Sequence, residues 1–557
     1  MAVLATSGGA ARWTANWIWQ PADGPYNTWI AFRKTVSLSD VPLTARAAVA
    51  VDSKYWLWIN GRLVVFEGGM ARGPCPGNTY YDEIDIKPYL DKGLNTIAVL
   101  VWYWGRNGWY HQDSGKGGLF FEADLGGSVV KSDSTWKMKV HPGYRQNAPS
   151  DSCGGRIAPY GIAFDGRHAL GDWTTSAWYN QGYDDRSWDT PAQKGVPGIA
   201  PWNTIEKNPV PPWTDWGLKD YASLSDNPDS TANNITLPHT TLTDTVVYGW
   251  LDFNKQVTPY IELTSTAGKA IYIDSEYDLT EIHHVYTTRD GDQAFEGYSW
   301  NNGHAMKYAI PAGITIKALK YRWTSVGRQA GTFECSDPYY QKLWWMAKNT
   351  LFVCARDNYM DCPNAERSLW IGDVANENSE IWYTMDDAGR QLMKKCINVF
   401  CTFRKNGAVL HAPTPGDFTD ELPNQSLQFI GWYGTWWYYY NSGDLDTLGV
   451  AYQYFKEYAS LWAMDTNGLI QFRAGDADWA DHPGDDHTIE KAIIQNCWYY
   501  MAMKAGANMA RALGKTNDTR WFQSRMDSIK HNFDAAFWNG TYYTTGLSKD
   551  DRPNALA

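Results

Sequence analysis

The sequence predicts a multidomain β + α protein, in which N-terminal β-sandwich domains are followed by an α/α barrel. Three observations predict it. The chain has 557 residues, too many for one ordinary domain and enough for about three or four. Up to residue 330, short apolar runs alternate with polar residues between turn signals, the period of half-buried strands. Beyond Asp337 the apolar period lengthens toward 3.6, the period of helices packed on one face.

The strand runs come first. Trp29–Arg33, Tyr55–Ile59, Thr96–Trp102 and Gly118–Glu122 each read as a strand. Asn60-Gly61 directly after the second run is a strong hairpin signal, because both residues tolerate positive φ. Asp189 to Asp215 is rich in Pro and Trp and reads as a linker. Strand signals resume at Val246–Tyr248, Tyr260–Leu263, Ala270–Ile273 and Lys317–Trp323. These runs give a first sandwich over residues 1–216 and a second over 217–330.

Helical periods then occupy Tyr340–Val353, Ala388–Phe403, Leu427–Asn441, Thr447–Met464, Lys491–Leu513 and Thr519–Phe537. Gly443 and Gly514 are placed as helix stops. Helix hairpins joined by acidic and aromatic loops make residues 331–557 the barrel domain, with its pocket at the loop ends.

Composition narrows the function. A net charge of -12 and a pI near 5.4 argue against nucleic acid or an anionic membrane surface as partner. Mean hydropathy is -0.48 and no apolar run reaches the length of a membrane span. The first ten residues lack the basic and apolar regions of a signal peptide, which makes a cytoplasmic location the default expectation. The 31 Trp and 35 Tyr point mildly to carbohydrate, since indole faces stack on sugar rings; sandwich cores use aromatics equally well. Tyr55, Trp56, Trp58, Trp102, Trp104 and Trp109 are candidates for an N-terminal stacking platform. The eight Cys show no zinc spacing and read as free, mostly buried thiols. Phosphate-loop, dinucleotide and serine-hydrolase motifs are absent, so no cofactor is expected.

The chemistry concentrates in Asp361-Cys-Pro-Asn-Ala-Glu366-Arg367-Ser-Leu-Trp370-Ile-Gly-Asp373. If the chain is helical from about Asn364, then Glu366, Trp370 and Asp373 fall on one face. An apolar indole beside a carboxyl favours its protonated form, which suits a proton donor. A second carboxylate can hold sugar hydroxyls or a water. That is the layout of glycoside hydrolysis. The same residues also read plainly: Asp361 as an N-cap, Pro363 in a first turn, Trp370 as core.

The segment resembles the acidic signature of the inverting α-L-rhamnosidases, the bacterial and fungal family with a six-hairpin (α/α)6 catalytic barrel. Ala31-Phe-Arg-Lys, Ile59-Asn-Gly-Arg62, Arg72-Gly73, Tyr160-Gly161, Phe164-Asp-Gly-Arg167, Tyr321-Arg-Trp323 and Asp550-Asp-Arg-Pro-Asn-Ala-Leu-Ala557 agree with it in order. The resemblance implies Glu366 as general acid and no metal. It implies Asp361 and Asp373 as carboxylates that bind rhamnose hydroxyls, and Trp370, Asp478 and Trp479 as lining of the sugar site. Arg367 is the stand-in for an Arg that the family often carries where this chain has Ala365. The implied substrate is a small-molecule or oligosaccharide rhamnoside. Residues 331–557 are fewer than the roughly 330 that six hairpins need, so the barrel is expected to be incomplete and its general base to lie beyond residue 557. Two other readings stay open: a rhamnose-binding protein without hydrolysis, and a different six-hairpin sugar-active enzyme.

Overall fold

The computed structural model describes residues 13–69, 73–147, 160–172, 176–229, 231–276, 282–477 and 489–557. The chain divides into two compact units. One holds residues Met1–Asn107 and Gln112–Thr324; the other holds Ser325–Ala557 together with the short segment Gly108–His111.

In the first unit a seven-stranded and a five-stranded sheet share one core. Alternate residues supply it, as the period of two requires: Leu57 and Ile59, Ile97, Val99 and Val101, Leu119, Phe121 and Ala123. The intervening positions are not solvated. Tyr55, Trp56, Trp102 and Trp104 are fully buried and Trp58 nearly so, which removes them as a surface stacking platform. Trp56 lies 4.8 Å from Tyr298, and Trp58 stacks at 4.8 Å on Tyr179. The five-stranded sheet is therefore apolar on both faces. Strands Lys54–Ile59 and Arg62–Gly68 are joined at Asn60-Gly61, with φ of 53° and 77°. Two positive φ values in succession are what a tight hairpin of this hand needs.

The segment expected to be a linker is part of this sandwich. Ala192–Gly195 pairs antiparallel with Trp17–Trp19, and Ile205–Lys207 pairs parallel with Thr79–Asp85. Its Pro-rich composition suits sheet edges, where a missing N–H costs little.

A third, ten-stranded sheet is organised around one 21-residue strand, Thr245–Ser265. Its register shifts between Trp250 and Lys255, and it pairs with Asn301–Ile310, Gly291–Glu296 and Thr315–Ser325. Ile162–Asp165 joins this sheet in parallel with His284–Thr287, although it precedes the expected boundary at 217.

The second unit is helical: α1 (Pro338–Val353), α2 (Ile371–Thr384), α3 (Asp387–Thr402), α4 (Pro423–Gly431), α5 (Thr435–Ser442), α6 (Leu445–Ser460), α7 (Lys491–Ala512), α8 (Thr516–Phe537) and α9 (Asp551–Leu556). Consecutive helices α2 and α3, α5 and α6, and α7 and α8 pack on one another, and α4 lies against α7. Side-chain caps start several of them. Asp337, Asp386 and Asp444 accept from the N–H of Tyr339, Ala388 and Thr447. Leu448, Ala451, Tyr452, Phe455, Tyr458 and Ala459 form the buried stripe of α6 at helical spacing. The helix expected over Leu427–Asn441 is two helices, broken at Trp432–Gly434 where the backbone leaves helical dihedrals. Gly443 and Gly514 do close their helices, at φ of 69° and 70°.

Among the described residues no helix is long and apolar enough to cross a membrane. The seven described Cys are free thiols, four of them buried.

Candidate active site

The acidic segment is a loop, not the start of a helix. Residues 361–370 run between α1 and α2, and α2 begins only at Ile371, with Trp370 as its N-cap. Pro363 in a turn and Arg367 at φ 54° keep this stretch from helical geometry. A different set of bonds holds it. Asp361 N–H donates to Ser368 O at 3.2 Å, and Ser368 N–H donates back to Asp361 Oδ1 at 3.0 Å. The Ser368 hydroxyl donates to Glu366 O at 2.9 Å. Arg367 is buried, and its Nε donates to Pro363 O at 2.7 Å, so part of this guanidinium is committed to the loop.

The loop brings Glu366 and Trp370 together all the same. Trp370 Nε1 donates to Glu366 Oε2 at 2.7 Å. The indole thus presents its polar edge, not the apolar face that the sequence suggests. It orients the carboxyl and leaves the other oxygen, Oε1, outside this bond. Trp370 itself meets edge-on a stacked pair of rings, Trp109 (6.3 Å) and Phe418 (6.1 Å), which lie 4.7 Å from each other. Trp109, considered above for an N-terminal platform, sits on the Gly108–His111 segment of the helical unit. Asp417 N–H donates to Gly108 O at 3.1 Å, and Gly416 makes the approach possible: a Cβ there would stand 2.2 Å from Trp109 O.

Carboxylates gather beside this aromatic trio. Asp361 Oδ2 accepts from the Cys362 thiol at 2.9 Å. Burial pushes the Asp361 carboxyl up to about 7, with smaller upward contributions from Glu366 and Asp373; the Cys362 and Ser368 donors oppose them. Asp373, in the first turn of α2, is also raised by burial and by Glu366. Glu377 follows one turn later and is raised well above the ordinary carboxyl range, by burial and by Asp373, Glu380 and Asp361. Its Oε2 is buried without a hydrogen bond. Asp361, Asp373 and Glu377 form no ion pair among the described residues. Asp361 therefore holds its proton close to neutrality, Asp373 and Glu377 are shifted in the same direction, and all three can accept from neutral hydroxyls. Among the described residues of the helical unit, no three ligand groups converge closely enough to share a metal ion.

Asp361, Glu366, Arg367, Trp370 and Asp373 are thus brought together on one loop and the turn that follows it. Asp478 and Trp479 lie outside the described residues. Asp476, on the same later stretch, is paired with Lys405 at 2.6 Å and accepts from Glu421 N–H at 2.8 Å. Glu377, Trp109 and Phe418 were not foreseen. Glu377 had a signal, its i+4 spacing from Asp373; the other two had none.

Comparison with known proteins agrees with this architecture. Residues 328–556 match the six-hairpin glycosidase domain of bacterial α-L-rhamnosidases. The helical unit is a domain of the α-L-rhamnosidase family. The chain is 24% identical to an α-L-rhamnosidase of Formosa agariphila, over 91% of this chain and 55% of that protein. It therefore spans about half the length of that relative. Among solved structures, a GH78 family rhamnosidase of Bacillus sp. GL1 superposes with a TM-score of 0.80 at 16% identity, covering 97% of this chain and 79% of that one. A Streptomyces avermitilis α-L-rhamnosidase complexed with L-rhamnose superposes with a TM-score of 0.69 at 17% identity, covering 92% and 49%. At these identities the structural likeness establishes the fold: β-sandwich domains followed by helical hairpins of the rhamnosidase type.

Proposed function

We propose that this protein hydrolyses terminal α-L-rhamnosyl groups from glycosides with inversion, Glu366 acting as general acid. The observation that carries the reading is the Trp370–Glu366 bond at 2.7 Å within a cluster of uncompensated carboxylates. The indole N–H orients the carboxyl, which in this reading delivers a proton to the departing glycosidic oxygen. Asp361 and Asp373 accept hydroxyls of the sugar. Arg367 steadies the loop, and Trp370 supplies an aromatic wall; the roles of Asp478 and Trp479 in holding the sugar rest on the family resemblance alone. In an inverting reaction a second carboxylate activates water on the opposite face of the ring, about 6.5–9.5 Å from the acid. The named relatives are α-L-rhamnosidases, and one is solved with L-rhamnose, which supports this substrate class.

A second reading is rhamnose binding without hydrolysis. What favours it is that Asp361, Glu366, Asp373 and Glu377 all belong to one stretch of chain, whereas an inverting pair faces itself across the sugar. Hydrolysis of an alkyl or flavonoid α-L-rhamnoside separates the two. Glu366→Gln should lower kcat by about 10²–10⁴-fold on such a poor leaving group and by less on p-nitrophenyl α-L-rhamnoside. Equal rates for wild type and variant on the poor leaving group would remove Glu366 from the acid role. Saturable rhamnose binding with no turnover of either substrate would favour the binding reading.

A further inference from the structure

The first unit contains a cavity of about 160 Å³, open to solvent, at the outer face of the five-stranded sheet and the edge of the ten-stranded one. That is about the volume that accommodates a single six-membered ring. One wall is a run of flat aromatic faces: Tyr286 and Phe295 stack at 4.9 Å, and Phe164 lies 6.0 Å from Phe295. Facing it are three tyrosines whose rings are fixed from behind. Tyr144 stacks on Trp29 at 3.9 Å, Tyr179 on Trp58 at 4.8 Å, and Tyr298 packs on Trp56 at 4.8 Å.

The hydroxyls of Tyr144, Tyr179 and Tyr298 have no hydrogen-bond partner among the described residues. Burial and the nearby Glu296 charge hold all three phenols above their ordinary range, Tyr144 and Tyr298 well above it, so they remain O–H donors. Glu296 accepts from Arg322 Nε at 2.5 Å through Oε1, while its Oε2 has only a 3.5 Å contact with the same guanidinium. That second oxygen, held only by this long bond, can still accept from a guest. The guanidinium that lines the cavity, Arg289, is taken by Asp172 at 2.7 Å and by Asp292 O at 2.7 Å. Among the described residues of the lining an anion would find no uncommitted guanidinium or ammonium. A purely apolar guest would bury three phenol hydroxyls unbonded, each at a cost comparable to a lost hydrogen bond. Flat apolar faces beside a ring of neutral donors and one acceptor suit a neutral ring that carries hydroxyls on its edge.

We propose that this cavity is a carbohydrate-binding site, separate from the acidic loop, that holds one neutral pyranose unit of a glycan without cleaving it. The inference does not rest on the hydrolytic reading, because it uses none of the same residues.

The test is calorimetric titration of the full chain with methyl α-L-rhamnopyranoside, methyl β-D-glucopyranoside and methyl β-D-galactopyranoside. It is run in a Trp370→Ala background, so that the acidic loop is disabled. At least one glycoside should still bind saturably. Tyr179→Phe with Tyr298→Phe keeps both rings and removes both hydroxyls, and should weaken that binding by about tenfold or more. No saturable binding of any of the three, or equal binding by the Phe variant, would overturn the proposal. A crystal of the wild-type chain soaked in the same glycosides decides independently of any variant: sugar density between Phe295 and Tyr179 supports the site, and an empty cavity at saturating concentration refutes it.

Discussion

The acidic loop of the helical unit and the β unit treat buried negative charge in opposite ways, although elsewhere in the helical unit buried Glu421 and Asp550 are matched by Arg473 and Arg552. In the β unit most buried carboxylates are matched by a cation. Glu67 is held by Lys54, Asp165 by Arg145 and Arg167, and Glu296 by Arg322. Asp52 is an exception: burial and the neighbouring Asp113 raise it, and the Ser114 and Ser53 donors oppose them without a cation. In the helical unit Asp361, Asp373 and Glu377 stand within electrostatic reach of one another with no ion pair among the described residues. Matched charge is compatible with a frame. Unmatched, protonatable charge costs folding free energy, and its persistence in one place marks where chemistry is done.

Reversing the charge logic should therefore have opposite effects in the two places. The largest effect belongs to Lys54→Met, which leaves Glu67 buried and alone; both side chains are at most 4% exposed. A loss of about 3–5 kcal/mol is expected by urea denaturation, and a loss under about 1 kcal/mol would break the comparison. Next is Trp109→Ala, which removes the packing on Trp370 and Phe418. About 1–3 kcal/mol of stability should go, with kcat/KM on a rhamnoside falling alongside it; unchanged kinetics would separate the trio from the site.

Asp361→Asn should move stability the other way. The folded state holds the Asp361 proton up to about pH 7, whereas the unfolded chain releases it near pH 4. Its contribution to stability is full below about pH 4 and is lost as pH rises through 7. The Asn variant escapes that loss, so its Tm should exceed wild type at pH 8 and converge with it below about pH 4, while activity falls. A Tm below wild type at pH 8 would mean that Asp361 is compensated after all. The smallest effect is Cys362→Ala. Removing the thiol donor at 2.9 Å should raise the Asp361 titration further, by less than about one pH unit, as read from its carboxyl carbon by NMR.

Much of the β frame was legible because its signals are local. The Asn60-Gly61 turn needs only two residues, and the Thr96–Trp102 alternation needs only seven. The helix stops at Gly443 and Gly514 were legible for the same reason. Glu366 and Trp370 were correctly paired for the wrong reason. A helix would set them one turn apart, but the loop achieves the contact through the Asp361–Ser368 bonds and a positive φ at Arg367. Periodicity cannot see such a fold-back. It also cannot see Trp109, which reaches Trp370 from the far side of the sequence, or the pairing of Ala192–Gly195 with Trp17–Trp19, whose partner lies at the other end of the sandwich. Composition read that stretch as a linker because Pro and Trp say nothing about distant partners.

The Gly108–His111 segment has a practical side for anyone dividing the gene. It is encoded in the midst of the sandwich strands, yet its backbone and its indole are built into the helical unit. A fragment starting at Ser325 would carry the acidic loop and leave Phe418 and Trp370 without their third ring. Dividing the chain at Ser325 would therefore split the Trp109–Phe418–Trp370 trio, so the cut that looks natural in the sequence is the wrong one for the site.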